Sequence, residues 1–249
     1  MPRYDFRTPR LYVDAPLGPA GRHALDAMQT HYLRNVLRLR GGDPVLVFNG
    51  REGEWQATLA DGGKRTLSLT IGEQARAQTP ALDLDYLFAP LKQARLDYMV
   101  QKVVELGAAR LQPVLTRHTQ VARVNLERMR ANAIEAAEQC GILTLSEIAA
   151  PVRLDRMLAT RDPARLLVFC DEDAEVRDPV AALTAARTLA PMPLAVLVGP
   201  EGGFAEDERA ALLAAPNVVR LALGPRILRA DTAAVAALAL VGAVLGDWR

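Results

Sequence analysis

From Leu82 onward, short runs of continuous apolar residues alternate with stretches whose apolar positions recur every three or four residues, and this alternation narrows the possible architectures to one class. Leu82 to Ala89, Leu111 to Leu115, Leu166 to Cys170, Leu194 to Val198 and Val218 to Leu223 read as strands. A helix from about Lys92 places Leu96, Met99, Val100, Val103 and Leu106 on one face and closes at Gly107. A second, Asn125 to Cys140, turns Leu126, Met129, Ala133, Ile134 and Ala137 inward, and Asp178-Pro179 opens a third as N-cap and first-turn proline. Strands without polar alternation are buried on both faces, so the expected fold is α/β, a parallel sheet covered by helices on each side.

The first 75 residues follow a different pattern. Val45 to Phe48, Trp55 to Leu59 and Leu67 to Ile71 are strand-length runs separated by Asn49-Gly50, Glu52-Gly53 and Asp61-Gly62-Gly63, the turn signals of a small β-rich unit. One helix is expected to interrupt it, from Thr30 through Leu33, Val36 and Leu37 to Gly41-Gly42, with Arg34 and Arg38 on one face. Ala75 to Ala81 carries almost no large apolar side chain, and it sets the expected domains at 1–74 and 75–249.

Lys plus Arg is 30 and Asp plus Glu is 29, which excludes a chain-wide basic field. Charge is informative only locally. Residues 1–40 hold seven arginines against three aspartates, equally readable as a phosphate-facing surface or as the solvated face of an arginine-rich composition. Cys140 and Cys170 form no CxxC or Cys/His cluster, so neither a disulfide framework nor a zinc site is expected. The amino terminus lacks an apolar core, and Ala233 to Leu245 is shorter than the roughly 20 residues that span a bilayer, so a cytoplasmic protein with no membrane association is expected.

Chemistry concentrates in two loops at the carboxyl ends of strands, where open α/β sheets bind ligands. The first is Leu197-Val198-Gly199-Pro200-Glu201-Gly202-Gly203-Phe204, whose glycines let backbone N–H groups approach a ligand. The second runs from Leu223-Gly224-Pro225-Arg226 through Ile227-Leu228-Arg229-Ala230 to Asp231-Thr232. Neither has the glycine and lysine placements of dinucleotide or P-loop fingerprints. The three histidines, His23, His31 and His118, lie outside both loops, which argues against nucleophilic hydrolysis, and His118 reads as a surface residue. Glu206, Asp207 and Glu208 read as the dipole complement of a helix's first turn rather than as a metal site.

On these residues the chain resembles the bacterial methyltransferases that modify N3 of a uridine in 16S ribosomal RNA, a family of the SPOUT class. The resemblance is carried in order by His31 to Leu39, Gln101 to Gly107, Glu138-Gln139-Cys140-Gly141, Leu197 to Phe204, and Leu223 to Asp231. It implies an N-terminal PUA-like β-barrel for RNA, a C-terminal SPOUT domain with a trefoil knot, a homodimer, and S-adenosylmethionine bound in the knot. Leu197, Gly199, Pro200, Glu201, Gly202, Gly203, Leu223, Gly224, Ile227 and Leu228 would then hold the cofactor, with no metal. Three positions depart from the family's pattern: Ile142 follows Gly141 where an arginine is common, Asp231 replaces the more frequent glutamate, and His118 stands where serine is usual.

Uracil N3 carries an imide proton, so methyl transfer to it needs a base, or a cation that stabilises the anion. The expectation is that Arg229 steadies the negative charge on the uracil oxygens while Asp231 or Glu201 orients it or takes the proton; Asp231 is equally suited to cap the last helix. Arg7, Arg10, Arg34 and Arg38 would hold phosphates of 16S rRNA, free or in the assembled small subunit. The rival expectations are a noncatalytic RNA-binding assembly factor and a nucleotide-using small-molecule enzyme.

Overall fold

A computed structural model describes residues 5, 7–62, 66–121, 123–187 and 192–248. The chain divides into two units, Met1–Pro80 with Ala137–Leu145, and Ala81–Ala136 with Ser146–Arg249.

The first unit is built on five strands, β1 (Arg10–Tyr12), β2 (Arg22–Ala24), β3 (Pro44–Phe48), β4 (Glu54–Asp61) and β5 (Leu67–Arg76), in the order β1-β3-β4-β5-β2. β3, β4 and β5 pair antiparallel in sequence order, with Gly63 of the expected second turn outside the described residues, and β1 adds parallel to β3. With three residues each, β1 and β2 are too short to show an alternating pattern in the sequence. Leu33, Val47, Leu59, Leu67 and Leu69 fill the core. Phe48 of β3 packs with Ala137 and Leu143 from the second segment of this unit.

The helix expected from Thr30 to Gly41 is displaced and shorter. It begins as α1 (Ala27–His31), where the Asp26 carboxylate accepts from Gln29 N at 2.7 Å, and widens into a π turn over Tyr32–Val36. Arg38 lies past its end at φ +59°, so Arg34 and Arg38 do not share a helical face. Glu54, 2% exposed, lies between Arg10 Nε at 2.9 Å and Arg76 Nε at 2.7 Å. A carboxylate this deeply buried is tolerated only with such compensation.

The second unit carries the parallel sheet. Its strands are β6 (Leu84–Phe88), β7 (Arg110–Leu115), β8 (Glu147–Ile148), β9 (Val152–Arg153), β10 (Leu166–Cys170), β11 (Leu194–Val198) and β12 (Val218–Leu221). They run in the order β12-β10-β11-β6-β7-β8, every pair parallel, with β9 also pairing with β7. The helices are α2 (Gln93–Glu105), α3 (Leu126–Cys140, whose residues from Ala137 on belong to the first unit), α4 (Leu154–Thr160), α5 (Pro179–Ala185), α6 (Glu206–Ala214) and α7 (Ala230–Val244). All five residues of β11 are buried, as its unbroken apolar run requires. Among the described residues no helix is long and apolar enough to cross a membrane.

Candidate cofactor cavity and active centre

The two strands that precede the chemistry-bearing loops, β11 and β12, are not neighbours; β10 lies between them. Because all three are parallel, their carboxyl ends meet at one edge, and three loops converge there instead of the two that the sequence singled out. They wall a cavity of about 350 Å³. Gly199, Pro200, Glu201 and Gly203 line it from the β11 loop, and Leu223, Gly224, Ile227 and Leu228 from the β12 loop. Leu197 and Gly202 stand outside the lining, Leu197 fully buried in the core beneath and Gly202 on the surface.

The third wall is Cys170, Asp171 and Glu172. The rule about strand ends applies to β10 as well, and the acidic run after its last apolar residue was the available signal. Asp171 is buried between Arg209 Nη2 at 3.2 Å and Arg220 Nε at 3.0 Å. Asp171, Glu172 and Asp173 bring carboxylate oxygens within 4.8 Å of one another, but Arg209 bonds all three and Arg220 bonds Asp171, so cationic side chains already neutralise the cluster. Burial pushes the Cys170 thiol up to about 12, which leaves it an unreactive wall residue.

The β11 loop needs its first glycine for space. A Cβ on Gly199 would stand 2.9 Å from the Phe204 ring, and that ring packs edge-on against Phe169 of β10 with centroids 6.0 Å apart. Gly224 serves conformation instead, at φ +89° with no atom within reach of a Cβ. Glu208 anchors the start of α6, accepting from Ala205 N at 3.0 Å, and together with Glu206 and Asp207 it supplies the first-turn acids expected there.

Glu201 is tied to Arg95 of α2 at 3.0 Å, a partner that nothing in the local sequence announces. Arg229 is the N-cap residue of α7, exposed and outside the cavity lining. Asp231 does not cap that helix. It sits in the first turn, where its Oδ1 accepts from Thr232 N at 3.1 Å.

Of the four arginines expected to meet phosphates, Arg34 and Arg38 lie together with Arg40 around a second cavity of about 450 Å³ in the first unit. Asp61 shares it and holds Arg34 Nη2 at 2.9 Å. Arg7 is exposed at the amino-terminal end. Arg10 departs from the expectation: its side chain is 6% exposed, turned inward onto Glu54, so it lies off that surface.

Residues 78–242 match the RNA methyltransferase domain family, and residues 25–72 match the RNA methyltransferase PUA domain. This chain belongs to the RNA methyltransferases. It is 32% identical over 233 residues to the ribosomal RNA small subunit methyltransferase E of Rickettsia conorii, covering 93% of this chain and 94% of that one. The structure of a ribosomal RNA small subunit methyltransferase E from Neisseria gonorrhoeae, bound to S-adenosyl methionine, superposes with TM-score 0.84 at 26% identity over 98% of this chain and 100% of that one. A Legionella pneumophila methyltransferase in complex with the same cofactor gives 0.78 at 26% identity, over 95% and 98% of the two chains. The parallel sheet with its three-loop cavity is therefore the methyltransferase domain of such an enzyme, and the curled sheet of the first unit its PUA domain.

Proposed function

We propose that this RNA methyltransferase transfers the methyl group of S-adenosylmethionine to N3 of a uridine in 16S rRNA of the small ribosomal subunit. It does so in the cytoplasm as a homodimer, with residues 75–249 binding the cofactor in knotted loops and residues 1–74 holding RNA. The cavity at the ends of β10, β11 and β12 carries the reading. Its volume suits a small organic ligand. Leu223, Ile227, Leu228 and Phe204 offer apolar surface to an adenine ring, and the Glu201 carboxylate, about two-fifths exposed, adds negative charge toward a ligand bearing ammonium and sulfonium charges. Ile227 is wholly exposed and Tyr98 and Trp248 are about half exposed, apolar surface of the kind a second copy would cover.

When bound, the cofactor supplies an electrophilic methyl carbon, and its displacement needs no metal. The protein's task is to align the acceptor, exclude water and deal with the N3 proton. Arg229, the N-cap residue of α7, steadies negative charge on the uracil oxygens. Glu201, held by Arg95, orients ligand in the cavity, and Asp231 adds negative charge in the first turn of α7. The N3 edge is hidden in a duplex, so the target nucleotide is unpaired or flipped out. Arg34, Arg38, Arg40 and Arg7 hold phosphates of the rRNA, while Arg10 serves the PUA core.

Incubation of small subunits, and separately of free 16S rRNA, with methyl-labelled S-adenosylmethionine followed by nucleoside mass spectrometry tests the reading. One N3-methyluridine per rRNA is the expected product. Absence of label from both substrates, or label on another atom, overturns it.

A further inference from the structure

His118 is the only histidine of the second unit, in the turn that follows β7. Its Nδ1 lies 3.0 Å from the Gly202 carbonyl oxygen and 3.1 Å from that of Gly203, in the loop whose Gly203 lines the cavity. Carbonyl oxygens only accept, so Nδ1 carries the hydrogen, and the neutral ring then holds its lone pair on Nε2. The tautomer is thus set by the loop.

The turn that presents this ring is pinned from several sides. Arg117 N donates to Glu208 Oε1 at 2.8 Å and its guanidinium to Asp207 Oδ2 at 2.6 Å, both on α6. Thr116 N donates to Thr119 Oγ1 at 2.8 Å. His118 is exposed, so its ring is within reach of a ligand that approaches from solvent.

The reaction proposed above needs an acceptor for the N3 proton, and the carboxylates near the cavity are otherwise engaged. Glu201 bonds Arg95, Asp231 accepts from a backbone N–H, and Asp171 is enclosed by two arginines. We propose that His118 Nε2 accepts the imide proton of the target uridine. This inference rests on the methyl-transfer reading. The proton moves from N3 to Nε2, the N3 electron pair so released forms the N–C bond, and the C–S bond breaks with its pair going to sulfur. The imidazolium then returns its proton to water. Charge balances, because the sulfonium's positive charge ends on the released proton. The loop glycines acquire a second task in this scheme: Gly203 lines the cavity, and the carbonyls of Gly202 and Gly203 fix the His118 ring.

Asparagine at 118 separates the catalytic role from a structural one, since its amide N–H can replace Nδ1–H against the two carbonyls but nothing replaces Nε2. His118→Asn should lower kcat by about 100-fold or more, the range of a lost general base, with cofactor affinity by calorimetry within about twofold of wild type. Added imidazole should restore part of the turnover of His118→Ala. Independently of activity, 15N NMR of the unliganded protein should show His118 protonated at Nδ1 and not at Nε2. A smaller loss in His118→Asn, a fall in cofactor affinity that accounts for the loss, no imidazole rescue, or an Nε2–H tautomer overturns the proposal. Wild-type protein that makes no N3-methyluridine fails the underlying reading instead, and that result is seen before any variant is made.

Discussion

The Arg95 guanidinium lies 3.0 Å from the Glu201 carboxylate, joining α2 to the β11 loop across 106 residues of sequence. Both side chains are about two-fifths exposed, so the pair contributes less than about 1 kcal/mol to folding. Its effect should fall on the loop. Arg95→Ala and Glu201→Ala are each expected to weaken cofactor binding about fivefold, the equivalent of roughly 1 kcal/mol, and the double variant to be no worse than either single one. Calorimetric titration of the four proteins checks this.

Gly199→Ala places a methyl group against the Phe204 ring, which is already wedged on Phe169. Overpacking of this kind costs about 1–3 kcal/mol. Thermal unfolding should register that loss, and cofactor affinity should fall with it, because the displaced ring lines the cavity.

Arg229 stands outside the three-loop cavity, at the entrance to α7. Arg229→Ala should therefore abolish turnover on RNA while leaving cofactor affinity within about twofold, as expected when a lost interaction forms only in the transition state. Undiminished turnover would remove Arg229 from the mechanism.

Arg34 and Arg10 should respond oppositely to truncation. Loss of a phosphate contact reduces the slope of log affinity against log salt by about 1, so Arg34→Ala and Arg38→Ala should flatten that dependence without unfolding the protein. Arg10→Ala removes one of two guanidiniums from the buried Glu54 and should cost about 3 kcal/mol of stability instead. Filter binding at several salt concentrations and denaturant melts separate the two effects.

Asp97 accepts from Arg128, Gln93 and Asn132, and the Arg128 bond, with help from the other two, holds its carboxyl below the usual range. A depressed folded value means that the stabilisation is complete above the unfolded pKa of about 4 and is lost as pH falls through the folded one. Asp97→Ala should be about 1 kcal/mol less stable than wild type at pH 7, the gap closing as pH drops below about 4. Urea melts across that pH range read the difference directly.

Much of the second unit was legible from spacing alone. Leu166 to Cys170 and Leu194 to Val198 are strands with the expected limits, Asp178 caps α5 through Val180 N at 2.9 Å, and α2 ends before Gly107 at φ +88°. The β11 and β12 loops, singled out in the sequence by glycines after buried strands, do line one cavity. The helix after Asp26 was misplaced because a π turn and a left-handed Arg38 follow from packing of Leu33 into the sheet core, which local periodicity does not record.

Residue order thus determined which segments are strands and helices and which two glycine-bearing loops follow buried strands, since both follow from local periodicity and backbone freedom. Only the folded chain decided that β10 separates β11 from β12 and adds a third wall. It also turned Arg10 onto Glu54, 44 residues away, and brought His118 beneath the carbonyls of Gly202 and Gly203. Strand order and ion pairing are settled by competition among distant partners for burial and hydrogen bonds, and that competition is resolved only when the sheets assemble.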